Sequence, residues 1–247
     1  MIMLGNSPVF LFGSLSNLLI VSYNKDIIFG GDNLMSKIFV VGGSGRVASD
    51  LIKDLVNAGH DVIAGARHPE KVWQNDHVTA VKLDLHSEVT EIAKQLSGSD
   101  AIYFVAGSRG QDLLKTDAMG AVKTMQAATQ VGIKRYIMLS SMYALQPEKW
   151  QDYPALAAIT DYNIAKFFAD DYLVSSTDLD YTIIQPASLT ETPATGKVTF
   201  GEGQDTTNSI ADVAQVLADV LNAPNTIRKV IMMRAGNTPI TEAIQQI

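Results

Sequence analysis

Tyr162-Asn163-Ile164-Ala165-Lys166 is the one Tyr-x-x-x-Lys in the chain. Residues four apart on a helix share a face, so a phenol and an ammonium at this spacing lie side by side. A phenol titrates near pH ~10 and exchanges protons poorly at neutrality, whereas an adjacent ammonium stabilises the phenolate and draws it toward the working range. Tyr162 therefore reads as a proton donor or acceptor and Lys166 as its electrostatic support, with a second use in holding ribose hydroxyls of a cofactor. The bland alternative is a half-buried tyrosine with a lysine stem lying over it. Ser140 and Ser141 follow an apolar run, and one of their hydroxyls would orient a substrate oxygen near Tyr162 while hydride is transferred. Strand alternation lets only one of them face the site, and Ser141 is the expected one.

A second constellation is glycine-rich. Gly42-Gly43-Ser44-Gly45-Arg46-Val47-Ala48 follows the apolar run Ile38-Phe39-Val40-Val41 and opens a helical segment. It reads as G-x-x-G-x-x-A or as G-x-G-x-x-A, and both place the same loop. Glycine allows the sharp turn and the approach of a pyrophosphate, Ala48 lets helix and sheet pack closely, and the helix N-terminus offers free N–H groups to the anion. No Gly-Lys-Ser/Thr follows, so a nucleoside triphosphate loop is excluded. About 20 residues onward an NAD site would carry an Asp or Glu for the ribose hydroxyls. Here Val62-Ile63-Ala64-Gly65-Ala66 runs into Arg67-His68, with no carboxylate before Glu70. Arg67 pairs well with a 2′-phosphate and Arg46 adds a second positive charge, so NADP is expected over NAD. The alternative is that both arginines are solvated surface residues. Asp84-Leu85 and Ala106-Gly107 fall after later strands and would flank the adenine and the nicotinamide ribose, although Asp84 serves equally well as a turn residue.

These residues need a scaffold that brings strand ends together. From Lys37 onward, β-branched runs alternate with segments of helical period, the pattern of a parallel sheet covered on both faces. Strands are expected near Ile38-Val41, Val62-Ala66, Val78-Lys82, Ala101-Val105, Tyr136-Leu139, Tyr181-Gln185 and Val230-Met233, with a weaker one at Val198-Phe200. Val47, Leu51 and Leu55 line one face of a helix that Gly59 terminates, and further helices are expected near Asp112-Gln130, Ala155-Ser175 and Ile210-Leu221. The fold class is α/β, a Rossmann-type doubly wound parallel sheet in one domain with a short C-terminal substrate-binding part, and ligands bind beyond the carboxyl ends of its strands.

The totals agree. A chain of 247 residues, 47% apolar and 18% charged, suits one sizeable core. A net charge of -7 argues against a phosphate-backbone surface, so nucleic acid is not an expected partner. The absence of cysteine excludes disulfides, thiol nucleophiles and thiolate metal sites and suits a cytoplasmic setting. The four histidines show no metal-ligand spacing, and no metal is expected. The apolar run Val9 to Val21 is short for a span of about 20 residues, and no positive charge precedes it, so neither membrane anchor nor secretion signal is expected. Met35-Ser36-Lys37 reads as the start of a domain over residues 35–247. Residues 1–34 read as an extension, with Gly30-Gly31-Asp32 as a read-through of a purine-rich ribosome-binding sequence ahead of an alternative start at Met35.

Together, Phe39-Val-Val-Gly-Gly-Ser-Gly-Arg-Val-Ala48, Leu83-Asp-Leu85, Lys134-Arg-Tyr-Ile-Met-Leu-Ser-Ser141, Tyr162-x-x-x-Lys166 and Tyr181-Thr-Ile-Ile-Gln-Pro186 resemble the short-chain dehydrogenase/reductase superfamily. The resemblance is to its small atypical branch, epimerase/dehydratase-like or flavin and biliverdin reductase-like, and covers Met35 to Ile247. It implies cofactor contacts at Gly42, Gly45, Arg46, Arg67, Asp84, Leu85, Ala106, Gly107 and Lys166, with Pro186 bordering the nicotinamide. It implies an NADP(H)-dependent oxidoreductase acting on a small carbonyl, quinone or flavin-like acceptor. A non-catalytic NADP(H) sensor and an epimerase or dehydratase are the other functions found on this branch. The short segment after Pro186 leaves no room for the large sugar-nucleotide subdomain of extended relatives.

Overall fold

The computed structural model describes residues 35–247 and, before them, three backbone strands, β1 (Ile2–Leu4), β2 (Ser7–Phe12) and β3 (Leu19–Ser22). The three pair antiparallel in the order β1-β2-β3 within a separate unit, residues 1–34. The rest of that unit, and with it the expectation about Gly30-Gly31-Asp32, lies outside the described residues.

Residues 35–247 alternate strand and helix. In chain order they are β4 (Lys37–Val41), α1 (Arg46–Asn57), β5 (Asp61–Ala66), β6 (Val78–Lys82), α2 (Val89–Leu96), β7 (Ala101–Phe104), α3 (Met119–Gln130) and β8 (Arg135–Leu139). There follow α4 (Pro154–Ala157), α5 (Thr160–Ser176), β9 (Asp180–Pro186), β10 (Ser188–Thr190), β11 (Lys197–Phe200) and β12 (Thr207–Ser209). The chain closes with α6 (Ile210–Asp219), β13 (Lys229–Ala235), β14 (Thr238–Pro239) and α7 (Ile240–Gln245). Every expected strand is present.

The main sheet has the order β14-β11-β13-β9-β8-β7-β4-β5-β6. Its strands from β6 to β13 are parallel, and β11 and β14 close the other edge antiparallel. One face packs on α1 and α6 through Leu51, Ile52, Leu55, Val213 and Leu217. The opposite face packs on α2, α3 and α5 through Ile92, Leu96, Met125, Ala169 and Leu173. These side chains are buried almost completely, each contributing about 1.5–3 kcal/mol when large and aliphatic. The chain leaves β4 toward β5 and β6, then returns to β7 on the other side of β4. That reversal opens a crevice beyond the carboxyl ends of β4 and β7.

The helices depart from expectation in four places. Residues Leu113–Ala118 form a π-turn ahead of α3, so the segment expected from Asp112 is not one regular helix. The segment expected from Ala155 is interrupted at Ala158-Ile159: the short α4 starts at Pro154, and a new helix begins at Thr160. α6 tightens at Val220–Asn222 into a 3-10 turn. Finally, α2 and α7 lie outside the expected set. Each is short, with buried positions such as Ile92, Ala93 and Leu96 too few to display a period.

Candidate functional site

The crevice holds two adjoining cavities. The smaller, about 320 Å³, is lined by Gly42, Ser44, Gly45, Arg67, His68, Asp84 and Leu85. The larger, about 810 Å³, is lined by Arg46, Val47, Ser140, Ser141, Tyr153, Tyr162, Lys166 and Pro186. Gly45, Val105, Ala106, Gly107 and Arg109 border both. Every residue expected at the site lines one or the other cavity except Gly43.

The glycines explain the loop. Gly42 has φ +91, and a Cβ on it would lie 2.6 Å from the Cα of Ala106, so the turns after β4 and β7 touch at the switch point. A Cβ on Gly43 would meet that of Ala64 at 2.7 Å. Gly43 thus packs on β5 and donates its N–H to the carbonyl of Gly65 at 3.0 Å, which places it behind the loop and not in the cavity. At Gly45 a Cβ would meet only the Gly42 carbonyl at 3.1 Å and Ala48 at 3.9 Å, leaving the cleft side open. The helix α1 starts there with no side-chain cap and no acid in its first turn. A pyrophosphate fits such a cradle.

Arg46 behaves differently from its expectation. Its Nη1 pairs with Oε1 of Glu191 at 3.0 Å, and the residue lines the larger cavity, away from Arg67. Of the two arginines, only Arg67 stands in the smaller cavity, beside His68. Asp84 accepts the N–H of His86 at 2.9 Å, the turn-residue role, while also lining the cavity.

On the other side, Tyr162 and Lys166 project from α5 with the ammonium 5.7 Å from the centre of the phenol ring. Lys166 is buried and donates to the carbonyl of Leu139 at 3.1 Å, tying α5 to the end of β8. The Ser140 hydroxyl donates to Oδ2 of Asp170 at 2.7 Å, and Nε2 of Gln185 donates to the same oxygen at 2.9 Å. Ser140 is thereby committed inward, which leaves the hydroxyl of Ser141 for the cavity. Burial pushes the Asp170 carboxyl up to about 6, against the hydrogen bonds from Ser140 and Gln185 and the attraction of Lys166.

The phenol of Tyr162 corrects one expectation. Burial raises it, and although Lys166 pulls it down, Asp117 and Asp170 push it further up. The net direction is upward, so Tyr162 holds its proton. Asp117, fully buried at the end of the π-turn, accepts the N–H of Ser108 at 3.0 Å, and its Oδ1 has no hydrogen-bond partner among the described residues. Neither acid has a motif of its own. Asp170 had one usable signal: it continues the Tyr162-Lys166 face by one more turn.

No helix among the described residues is long and apolar enough to cross a membrane. The oxidoreductase ylbE from Lactococcus lactis shares 47% identity with a TM-score of 0.83, over 85% of this chain and 96% of that one. A Bacillus subtilis relative named uncharacterized sugar epimerase YhfK is 34% identical over 219 residues, 85% of this chain and 100% of its own length. A short-chain dehydrogenase/reductase from Veillonella parvula in complex with NADP has a TM-score of 0.67 at 16% identity over 83% of this chain and 96% of that one, a likeness of fold alone. The profile of the NAD(P)H-binding family matches residues 42–224, and the chain belongs to that family, on a Rossmann fold like that of short-chain dehydrogenases/reductases.

Proposed function

We propose that this protein is a cytoplasmic NADP(H)-dependent oxidoreductase that reduces a small carbonyl, quinone or flavin-like acceptor. The observation that carries the reading is the meeting of the two cavities at Ala106 and Gly107, with the glycine turn on one side and Ser141, Tyr162 and Lys166 on the other. When bound, the dinucleotide supplies the hydride. Ser141 donates a hydrogen bond to the acceptor oxygen and orients it. Tyr162, whose phenol carries its proton at neutral pH, delivers it to that oxygen as negative charge develops there. Lys166 then stabilises the phenolate left behind, an interaction strengthened by the low dielectric around it. The preference for NADP rests on Arg67, which lines the smaller cavity at the end of β5, where the chain runs on through Arg67-His68 with no carboxylate before Glu70.

The test is NADPH oxidation measured across quinones, flavins and aldehydes, followed by Tyr162→Phe. That variant should lose about 10²–10⁴-fold in turnover while retaining NADPH affinity. Unchanged turnover removes Tyr162 from the mechanism, and binding without turnover of any acceptor favours a cofactor-sensing role instead. The name of the Bacillus subtilis relative favours a second reading, epimerisation, which predicts product with no net consumption of NADPH.

A further inference from the structure

We propose that Tyr153 presents a hydrogen-bond acceptor to the larger cavity, so that the molecule taken there carries an O–H or N–H group remote from its reacting carbon. The inference rests on reading that cavity as the substrate's and follows from counting protons in the wall behind it. The hydroxyl of Tyr143 has three neighbours: Oε2 of Glu202 at 2.8 Å, Nη2 of Arg234 at 3.1 Å and the hydroxyl of Tyr153 at 2.9 Å. A phenol has one proton and two lone pairs. A carboxylate only accepts and a guanidinium only donates, so Tyr143 gives its proton to Glu202 and receives one from Arg234. Its remaining lone pair must then take the proton of Tyr153.

With that proton committed, the Tyr153 oxygen has only lone pairs left. It makes no other hydrogen bond among the described residues, and Tyr153 lines the cavity. The arrangement is held firmly. Arg234 is fully buried, and its other donors reach the carbonyls of Gly201 at 3.3 Å and Asp205 at 2.7 Å. Tyr143 is kept in a left-handed backbone conformation, φ +58, with Nε1 of Trp150 donating to its carbonyl at 2.8 Å. Strain of this kind persists where surrounding contacts over-determine it, and it clusters at ligand sites. Around Tyr153 the cavity wall is apolar, formed by Met142, Pro154, Leu156 and Ile159. The ligand class is therefore a compact apolar body with a carbonyl-type oxygen for Ser141 and Tyr162 and a separate hydroxyl or amide donor for Tyr153.

The test is binding of para-hydroxyacetophenone and para-methoxyacetophenone to the full chain saturated with NADP⁺, titrated by ligand-observed NMR. The two probes share a ketone and a ring, and only the first can donate. Wild type should bind the hydroxy compound about three- to tenfold more tightly, the worth of one net hydrogen bond. Tyr153→Phe should abolish that preference. Tyr143→Phe frees the Tyr153 proton and should shift preference toward the methoxy compound. Equal affinities in wild type, including failure of both to bind at millimolar concentration, overturn the proposal, as does a preference that survives Tyr153→Phe. Because the readout is binding, it stands apart from turnover: an inactive enzyme with the preference intact counts against hydride transfer and supports this assignment.

Discussion

Replacing Asp170 with Asn keeps the shape of the side chain and removes its charge. In the wild type the carboxyl is pushed up to about 6 by burial, above its ordinary value of 3.8. The unfolded chain therefore loses this proton at lower pH than the folded one does. The contribution to stability is fully present below about pH 4 and is lost as pH rises through about 6. A displacement of this size corresponds to about 3 kcal/mol by about pH 8, of which roughly half is already lost at about pH 5. Asn can accept from both Ser140 and Gln185 through its carbonyl, and its amide replaces Oδ1, which has no hydrogen-bond partner among the described residues of the wild type. That amide carries a cost of its own, about 1–3 kcal/mol if left unmatched, but the cost does not vary with pH. The pH dependence is therefore the clean observable. Urea unfolding at the two pH values should show the difference between Asp170→Asn and wild type moving in the variant's favour by about 1–2 kcal/mol from about pH 5 to about pH 8. For a domain of this size that is about 3–6 °C in melting temperature. A difference that is equal at both values refutes the reasoning, because it would mean that Asp170 carries the same charge in folded and unfolded chains.

Gly42→Ala should cost melting temperature and weaken NADPH binding tenfold or more. Its φ of +91 disfavours alanine, and the new Cβ would press on the Ala106 backbone at 2.6 Å, as a thermal shift assay with and without NADPH can check. Arg67→Ala should weaken NADPH binding by about tenfold or more and leave NADH binding unchanged, read by fluorescence titration of both. Asp54 on α1 is pushed up to about 6 by burial and by the charges of Asp50 and Asp219. Asp54→Asn should raise stability above about pH 6, by less than about 1 kcal/mol once solvent screening of this half-buried group is counted, with the gain vanishing toward about pH 4.

The scaffold was legible because its signals are local. Each β-branched run pairs with a neighbour in the sheet, and the turn at Gly42 lies where an apolar strand meets a helix. Tyr162 and Lys166 were legible for the same reason, being one helical turn apart. What escaped depends on distance in sequence. Arg46 pairs with Glu191, 145 positions away. The hydroxyl of Tyr143 meets Arg234, 91 positions away. The direction in which Tyr162 titrates also escaped, because spacing reveals its neighbour Lys166 but not the burial that outweighs it. The π-turn at Leu113–Ala118 is a hydrogen-bonding pattern with no compositional mark.

The wall beside Tyr153 has a hydrophobic cluster of its own, Met142, Tyr143, Trp150, Leu156 and Ala187, separate from the two that clamp the sheet. Such a division makes the wall a replaceable part. Substitutions among those side chains can reshape what the larger cavity admits while the packing that positions the glycine turn stays as it is. Over evolutionary time one nucleotide-binding floor can therefore serve many different molecules, and in the laboratory this cluster is the place to begin a library for altered specificity.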